Sequence, residues 1–538
     1  MFKPKMFTIW NTYTKEQFVK DLTAAFIVTV ISIPLSVAFS VSQGLSPEIG
    51  LYVSIGASLI IALLGGTYVQ IGGPSAVFIV TAATVINSHG IQGMMISTFL
   101  AGIILIILGL LRMGSMIKFL PYPIMIGFMG GIAMTVFTSQ FRNFMGLSAT
   151  GAPSDFLGRW AFYFRNLHTT NPMTLGVGLL GLLILILWPK INKKIPGTLI
   201  ALVVTTAIVA IFDLPIATVG SQFTDISLQM PSVQMPAFDI SAVFYYLDYA
   251  FTIAFLCIVG SLMTAAAADT ITGQKHDSNT ELIAQGIVNL AMGLFGWLPA
   301  AGAPTRTMAN VQNGARTPIS ALLHSIFLLV ALVFMLPLLR LIPMVTLAAM
   351  LIVAAYGISE WRTFKRMTHA PKGDLLVLIV TFVLTVTVEI SVAVIVGLLL
   401  SSMIFMRRMS QQMHVNTSEI SKNLPAGISV YDVSGPLFFG DTDKFLDAIP
   451  VQDKETKVVI LRLGAVGSMD STALRTINIL HEKCKQNDKT LILAETTDRP
   501  YHAMKKLGMI QQLTRENVCR DFEDAVKVAK KNLNLQSI

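Results

Sequence analysis

Cysteine and charge are what this sequence has least of. Three cysteines occur in 538 residues. Cys257 lies in an apolar run and Cys484 and Cys519 in the polar C-terminal part, too few and too scattered for a disulfide framework or a metal cage. A reducing cytoplasm suits that tail. Charged residues make up only 13% of the chain against 53% hydrophobic, with a mean hydropathy of +0.67. No soluble domain of this length is built that way, so the chain reads as a polytopic membrane protein with the lipid bilayer as its surroundings. Arrangements that enzymes need are missing too: no nucleophile beside a base, no metal-ligand spacing, and no loop that cradles a phosphate. Neither an enzyme nor a cofactor or metal is expected. The formal charge of +9 raises nucleic acid as a partner, but lysine and arginine sit at the ends of apolar runs. That is the positive-inside pattern, and nucleic-acid binding is discounted.

Apolar runs of spanning length recur from Leu22 through Met406. The first has no small-residue cleavage site behind it and reads as a retained span, not a signal peptide. About fourteen hydrophobic segments, some short or broken, fall into two groups of about seven. The expected division is a cytoplasmic N-terminus (1–20), a first transmembrane repeat (21–212), an extracellular loop (213–241), a second repeat (242–409), a linker (410–426) and a soluble domain (427–538). An even number of crossings puts both termini in the cytoplasm of a cell (inner or plasma) membrane, together with Lys15, Lys20, Arg112, Lys118, Lys190, Lys193, Lys194, Lys275, Arg362, Lys365, Arg366, Arg407 and Arg408. The central loop, with Asp213, Asp225 and Asp239 and no basic residue, falls outside. The loop with Arg142, Arg159 and Arg165 is the exception. After Arg408 acids become frequent. Val458 to Leu463 and the run TLILAE read as strands, Ser471 to Gln486 as an amphipathic helix, and the rest as two further helices, which makes a small α/β domain.

Two places match across the halves: IGGPSAVFI (Ile71 to Ile79) and AGAPTRTMA (Ala301 to Ala309). Each runs small, small, proline, hydroxyl. Proline suits the first turn of a helix, where its missing N–H costs nothing, so each reads as a half-helix starting inside the membrane. Inverted repeats would oppose the two N-termini near the midplane, each with unpaired N–H groups and roughly half a positive charge. Arg306, in the first turn of the second, adds a full charge. The blander reading pairs Arg306 with Glu389 or lets it snorkel to an interface. An intramembrane arginine more often marks a pathway, and the matched breaks strengthen that.

These stretches, with IPLSVAFSVSQGLSPEIGLY (Ile33 to Tyr52), GGTYVQIGGPSAV (Gly65 to Val77), ADTITGQKHDSNTELIAQGIVN (Ala268 to Asn289) and GLFGWLPAAGAPTRTMANVQNGARTPISALLH (Gly293 to His324), resemble the SulP, or sulfate-permease, anion transporters, whose members include bicarbonate and dicarboxylate carriers and prestin. The resemblance covers nearly the whole chain. It implies a polytopic α-helical membrane protein, a uracil-permease-like 7+7 transmembrane inverted repeat with core and gate domains, a cytoplasmic α/β STAS domain, and a homodimer. It implies secondary transport of small anions (sulfate, bicarbonate, chloride or nitrate, C4-dicarboxylate) by alternating access. Its anion pocket maps to Leu35 and Phe39, to Gly73, Pro74, Ser75 and Ala76, and to Ala303, Pro304, Thr305, Arg306 and Thr307. Thr305 and Ser75 offer hydroxyl donors; Phe39 is either a pocket wall or ordinary core.

One position departs from the pattern. Many bacterial relatives carry a pocket-facing Glu or Asp on the eighth span for proton or sodium coupling, and this chain has Gly260. Thr264, one turn on, matches a sodium-site hydroxyl, yet a hydroxyl without a carboxylate is a poor cation site. Uniport or anion exchange with little cation dependence is the expectation. Asp269 reads as a cap before Gly273, Glu389 as interior pairing, and Ser278 or Asn279 as the N-cap of the following helix. In GSMDSTAL, Ser471 matches the phosphorylatable serine of related anti-sigma antagonists, although a helix cap by Asp470 or Ser471 explains both residues. Two rivals remain at this stage: a nucleobase-proton symporter of the same fold, and an anion-responsive sensor signalling through the STAS domain to an unknown cytoplasmic partner.

Overall fold

The computed structural model describes residues 2–10, 13–115, 120–153, 155–192, 195–223, 226, 233, 240–388, 390–435, 437, 442–453, 455–467, 469–506 and 508–533. Lys118, Lys193, Lys194, Asp225, Asp239 and Glu389 lie outside the described residues, so the expected pairing of Glu389 does too.

The chain divides into two compact units, Met1–Leu398 and Leu399–Ile538. The first begins with α1 (Lys15–Val41), α2 (Pro47–Leu64), the short strand β1 (Gly72–Gly73), a 3-10 turn at Ala76–Phe78, and α3 (Ile79–Leu110). There follow α4 (Tyr122–Met145), α5 (Phe156–Arg165), α6 (Pro172–Ile191), α7 (Gly197–Ile211) and the single turn α8 (Val219–Gln222). The second half runs α9 (Ile240–Thr272), α10 (Ser278–Leu294), β2 (Ala301–Gly302), α11 (Pro304–Gln312), α12 (Ile319–Leu339), α13 (Met344–Ile358), α14 (Trp361–Met367), α15 (Lys372–Thr387) and α16 (Ile390–Ser410). Among the described residues nine helices are long and apolar enough to cross a membrane.

The 32 residues of α3 would span about 48 Å at 1.5 Å per residue, more than a bilayer core of about 30 Å. Gly90, at φ 66° and ψ −169°, breaks the rod. The segment before it is a half-helix and the segment after it a full crossing. α11 has nine residues and is the second half-helix.

The strands that feed the half-helices pair antiparallel, with Gly72 opposite Gly302 and Gly73 opposite Ala301. At Gly72 and Gly302 only glycine fits. A Cβ on Gly72 would lie 2.4 Å from Ile61 Cδ1, and one on Gly302 would lie 1.5 Å from Gln70 Nε2. Polar side chains satisfy the backbone here, where no water replaces a lost bond. Asn289 receives Ala300 N at 3.0 Å and donates to Ala300 O at 2.9 Å; Ser261 Oγ accepts from Gly302 N at 2.9 Å; Thr307 Oγ1 accepts from Ile71 N at 3.1 Å. Asn310 Nδ2 donates to Val69 O at 2.9 Å and to Ser320 Oγ at 2.8 Å.

Two packed groups enclose this crossing. In one, α3 packs on α9 and α10, and α1 on α2, α11 and α12; in the other, α4 packs on α13 and α15, and α6 on α7 and α13. Asp277, not Ser278 or Asn279, caps α10, accepting from Asn279 N at 3.0 Å and Thr280 N at 2.9 Å. The cap falls at Asp277 because its carboxylate oxygen reaches both orphan donors of the first turn. Asp269 Oδ2 takes both His276 N (3.1 Å) and His276 Nδ1 (2.6 Å), closing the turn after Gly273.

The second unit holds a four-stranded sheet of β3 (His414–Thr417), β4 (Ile428–Ser434), β5 (Val458–Ala465) and β6 (Thr490–Ala494), in that spatial order, with β3 antiparallel to β4 and the rest parallel. Its helices are α17 (Thr442–Asp447), α18 (Ser471–Gln486), α19 (Asp498–Lys506), α20 (Met509–Gln512) and α21 (Phe522–Asn532). Three helices follow β6 rather than two, because Gly508, at φ 72°, starts a separate turn between α19 and α21. Apolar side chains of β5 alternate between two clusters: Val459, Leu461 and Leu463 with α18, and Val458 and Ile460 with α21. The sheet is therefore covered on both faces.

A cationic cavity at two half-helix ends

The half-helices end their strands differently. α11 starts at Pro304, in the first turn as its missing N–H favours, with Ala303 as an extended N-cap. Pro74 is not in a first turn. Ser75 is extended at φ −130°, and the 3-10 turn of Ala76–Phe78 leads into α3. No side chain caps either start, which leaves N–H groups open to a ligand.

A cavity of about 270 Å³ lies against both starts. Of the residues singled out from sequence, Leu35, Phe39, Pro74, Ser75, Ala76, Thr264, Ala303, Pro304, Thr305 and Arg306 line it. Gly73 and Thr307 do not. The Thr307 hydroxyl is turned to Ile71 N, so Thr307 braces the crossing. Gly73, at φ +154°, leaves room for Arg306: a Cβ there would lie 2.1 Å from Arg306 Nη1.

Arg306 is among the largest fully buried side chains, 1% exposed. Its Nη1 donates to Ser54 Oγ at 3.0 Å and its Nη2 to the Pro74 carbonyl at 3.2 Å. Ser54 Oγ is in turn 2.6 Å from Ser36 Oγ. The Phe39 ring centroid stands 6.0 Å from Arg306 Cζ, so the ring is both wall and cation–π neighbour. No described carboxylate pairs with the guanidinium. These neutral acceptors orient the charge without neutralising it. The Ser75 and Thr305 hydroxyls have no hydrogen-bond partner among the described residues, whereas the Thr264 hydroxyl is spent on Gly260 O at 2.6 Å. Gly260 lines the cavity too, and a Cβ there would meet only Ala301 Cβ, at 4.0 Å.

The opposite wall was not foreseen. Beside Val77, Met263, Ala267 and Met308, which also line the cavity, Met129 of α4, Ala354, Gly357 and Ile358 at the end of α13, and Glu360 complete the lining. Nothing in the apolar pattern of α4 or α13 marks these residues, since their contacts arise only when the two helix groups face each other. Ser54 likewise had no sequence signal. In the second unit Asp470 caps α18, accepting from Ala473 N at 2.7 Å, and Ser471 is the exposed first residue of that helix.

Known proteins share this architecture. The model of the sulfate permease family matches residues 18–381, and that of the STAS domain residues 419–525. YvdB of Bacillus subtilis, named for sulfate transport, is 33% identical over 94% of this chain and 96% of its own. The bicarbonate transporter BicA of Picosynechococcus is 27% identical over 95% and 94%. Among solved structures, SLC26A9 aligns with a TM-score of 0.86 at 19% identity, covering 98% of this chain and 93% of that one; the BicA transmembrane domain aligns at 0.65 with 28% identity, covering 71% and 98%. The fold is thus the 7+7 inverted repeat of transmembrane helices followed by an α/β STAS domain. Members of the family are transporters, not enzymes. With matched half-helix starts, a buried arginine between them and a STAS tail, this chain belongs to the sulfate permease family of anion transporters.

Proposed function

We propose that the protein moves a small anion across the cell membrane by alternating access, binding it in the Arg306 cavity. One observation carries this: a fully buried guanidinium, without a described carboxylate partner, borders a cavity that also holds two uncapped half-helix starts. A buried charge of that kind is costly unless a ligand of opposite sign compensates it. An anion in the cavity would take N–H groups of α11, the free Thr305 and Ser75 hydroxyls and the field of Arg306 together.

The two walls belong to different helix groups, which suits a core half that carries the anion past a gate half. Glu360 is exposed and the next helix carries Arg362, Lys365 and Arg366; the positive-inside pattern supports a cytoplasmic opening. In this reading the N- and C-termini lie on that side, residues 21–212 and 242–409 form the two repeats, and the functional unit is a homodimer. A nucleobase is a weaker fit. Its N–H groups need acceptors on the half-helix wall, where this chain presents Gly260, Thr305 and a cation.

Flux in proteoliposomes across sulfate, bicarbonate, chloride, nitrate, fumarate and succinate tests the reading. Uptake of at least one of them that requires protein is expected. Absence of flux for all six, with binding retained, would favour the sensor.

A further inference from the structure

Among the described residues lining the cavity, Glu360 is the one carboxylate. It follows α13 and shares the cavity lining with Arg306. Three observations separate it from an ordinary loop acid. It is not glycine, yet it adopts φ 43° and ψ 41°, a left-handed conformation that a side chain with a Cβ disfavours. It occupies the N-cap position of α14 without its side chain capping the helix. And the carboxylate forms no ion pair or hydrogen bond with a described residue, although Arg362, Lys365 and Arg366 follow at once; none of those three is part of the lining. Its charge is used neither to cap nor to pair, and it lines the cavity.

We propose that Glu360 is a specificity-determining residue that biases the cavity toward monovalent anions; this rests on the anion-transport reading above. The attraction of Arg306 and the half-helix ends grows in proportion to the charge of the ligand, whereas the cost of stripping water from that ligand grows as the square of its charge. A fixed negative charge in the lining subtracts from the attraction. The subtraction leaves a monovalent anion bound and tips the balance against a divalent one.

The test is binding by the full-length purified protein of chloride, nitrate, sulfate and succinate at constant ionic strength, comparing wild type with Glu360→Gln. Glu360→Asn is the second variant, because asparagine tolerates the left-handed backbone. Repulsion by one charge through water-like dielectric changes affinity about 2-fold for a monovalent anion and by the square of that, about 4-fold or more, for a divalent one. Both neutral variants should therefore bind sulfate and succinate more tightly by the larger factor, and the difference should shrink as salt is raised. Equal tightening of both classes, or no change in either, overturns the filter while wild-type binding upholds the anion site. Wild-type protein that binds none of the four overturns both.

Discussion

Arg306 Nη1 donates to Ser54 Oγ at 3.0 Å, a hydrogen bond that ties a residue of the second repeat to the second helix of the first. The guanidinium cannot rotate freely, and its direction is set before any ligand arrives. Ser54→Ala removes the acceptor while leaving the charge. A hydrogen bond to a charged group contributes about 1.5 to 3 kcal/mol, so anion affinity should fall about 10-fold or more. Calorimetric titration checks this, and the size-exclusion profile should stay that of wild type. Unchanged affinity would mean that Ser54 does not position the arginine.

Gly73→Ala tests the same placement by sterics. Its Cβ would sit 2.1 Å from Arg306 Nη1 on a backbone whose φ already disfavours alanine. The guanidinium must shift, and binding should weaken at least as much as in Ser54→Ala. Retained affinity in a folded Gly73→Ala protein would show that the side chain has another way to lie.

At Gly260 the space is open. Glutamate there should be tolerated by the fold, because only Ala301 Cβ, at 4.0 Å, is near the first added atom. It would put a second carboxylate beside the anion. A charged carboxylate repels the ligand and a protonated one does not, so affinity in Gly260→Glu should rise as pH falls. Between pH 5 and 8 the wild type should change much less. Binding measured across that range decides it; parallel profiles would remove position 260 from the site.

Both half-helices were legible in the sequence because a proline after two small residues has few other places to go in a membrane. Their pairing as repeats and the tail followed, and ten of the residues named from sequence line the cavity. Gly73 and Thr307 entered the expected lining with the family's pocket; along a strand and a helix, neighbours point in different directions, and these two face the strand crossing. The gate wall was not legible at all. Met129 and Ala354 are apolar residues in apolar helices, and Glu360 sits in a loop whose basic residues drew the reading toward topology. Ser54, a lone hydroxyl in an apolar helix, carries no pattern that marks it before the fold brings Arg306 to it.

In the tail, burial governs the cysteines. Cys484 is fully buried on the inner face of α18 and burial pushes its thiol up to about 11; burial raises Cys519 as well. A raised thiol holds less of the reactive thiolate at a given pH. Maleimide at pH 7.5 should leave both unmodified in native protein and label both in denaturant, read by mass spectrometry. Rapid native labelling of Cys484 would contradict the packing of α18 on the sheet.

The central claim is that Arg306 is the cation of an anion site, and titration of anions into purified Arg306→Ala tests it most directly. The account predicts that affinity for whichever anion the wild type binds falls by at least 10-fold, the loss expected when a charge-assisted contact is removed, while the size-exclusion profile is unchanged. Wild-type affinity in a folded Arg306→Ala protein would contradict it.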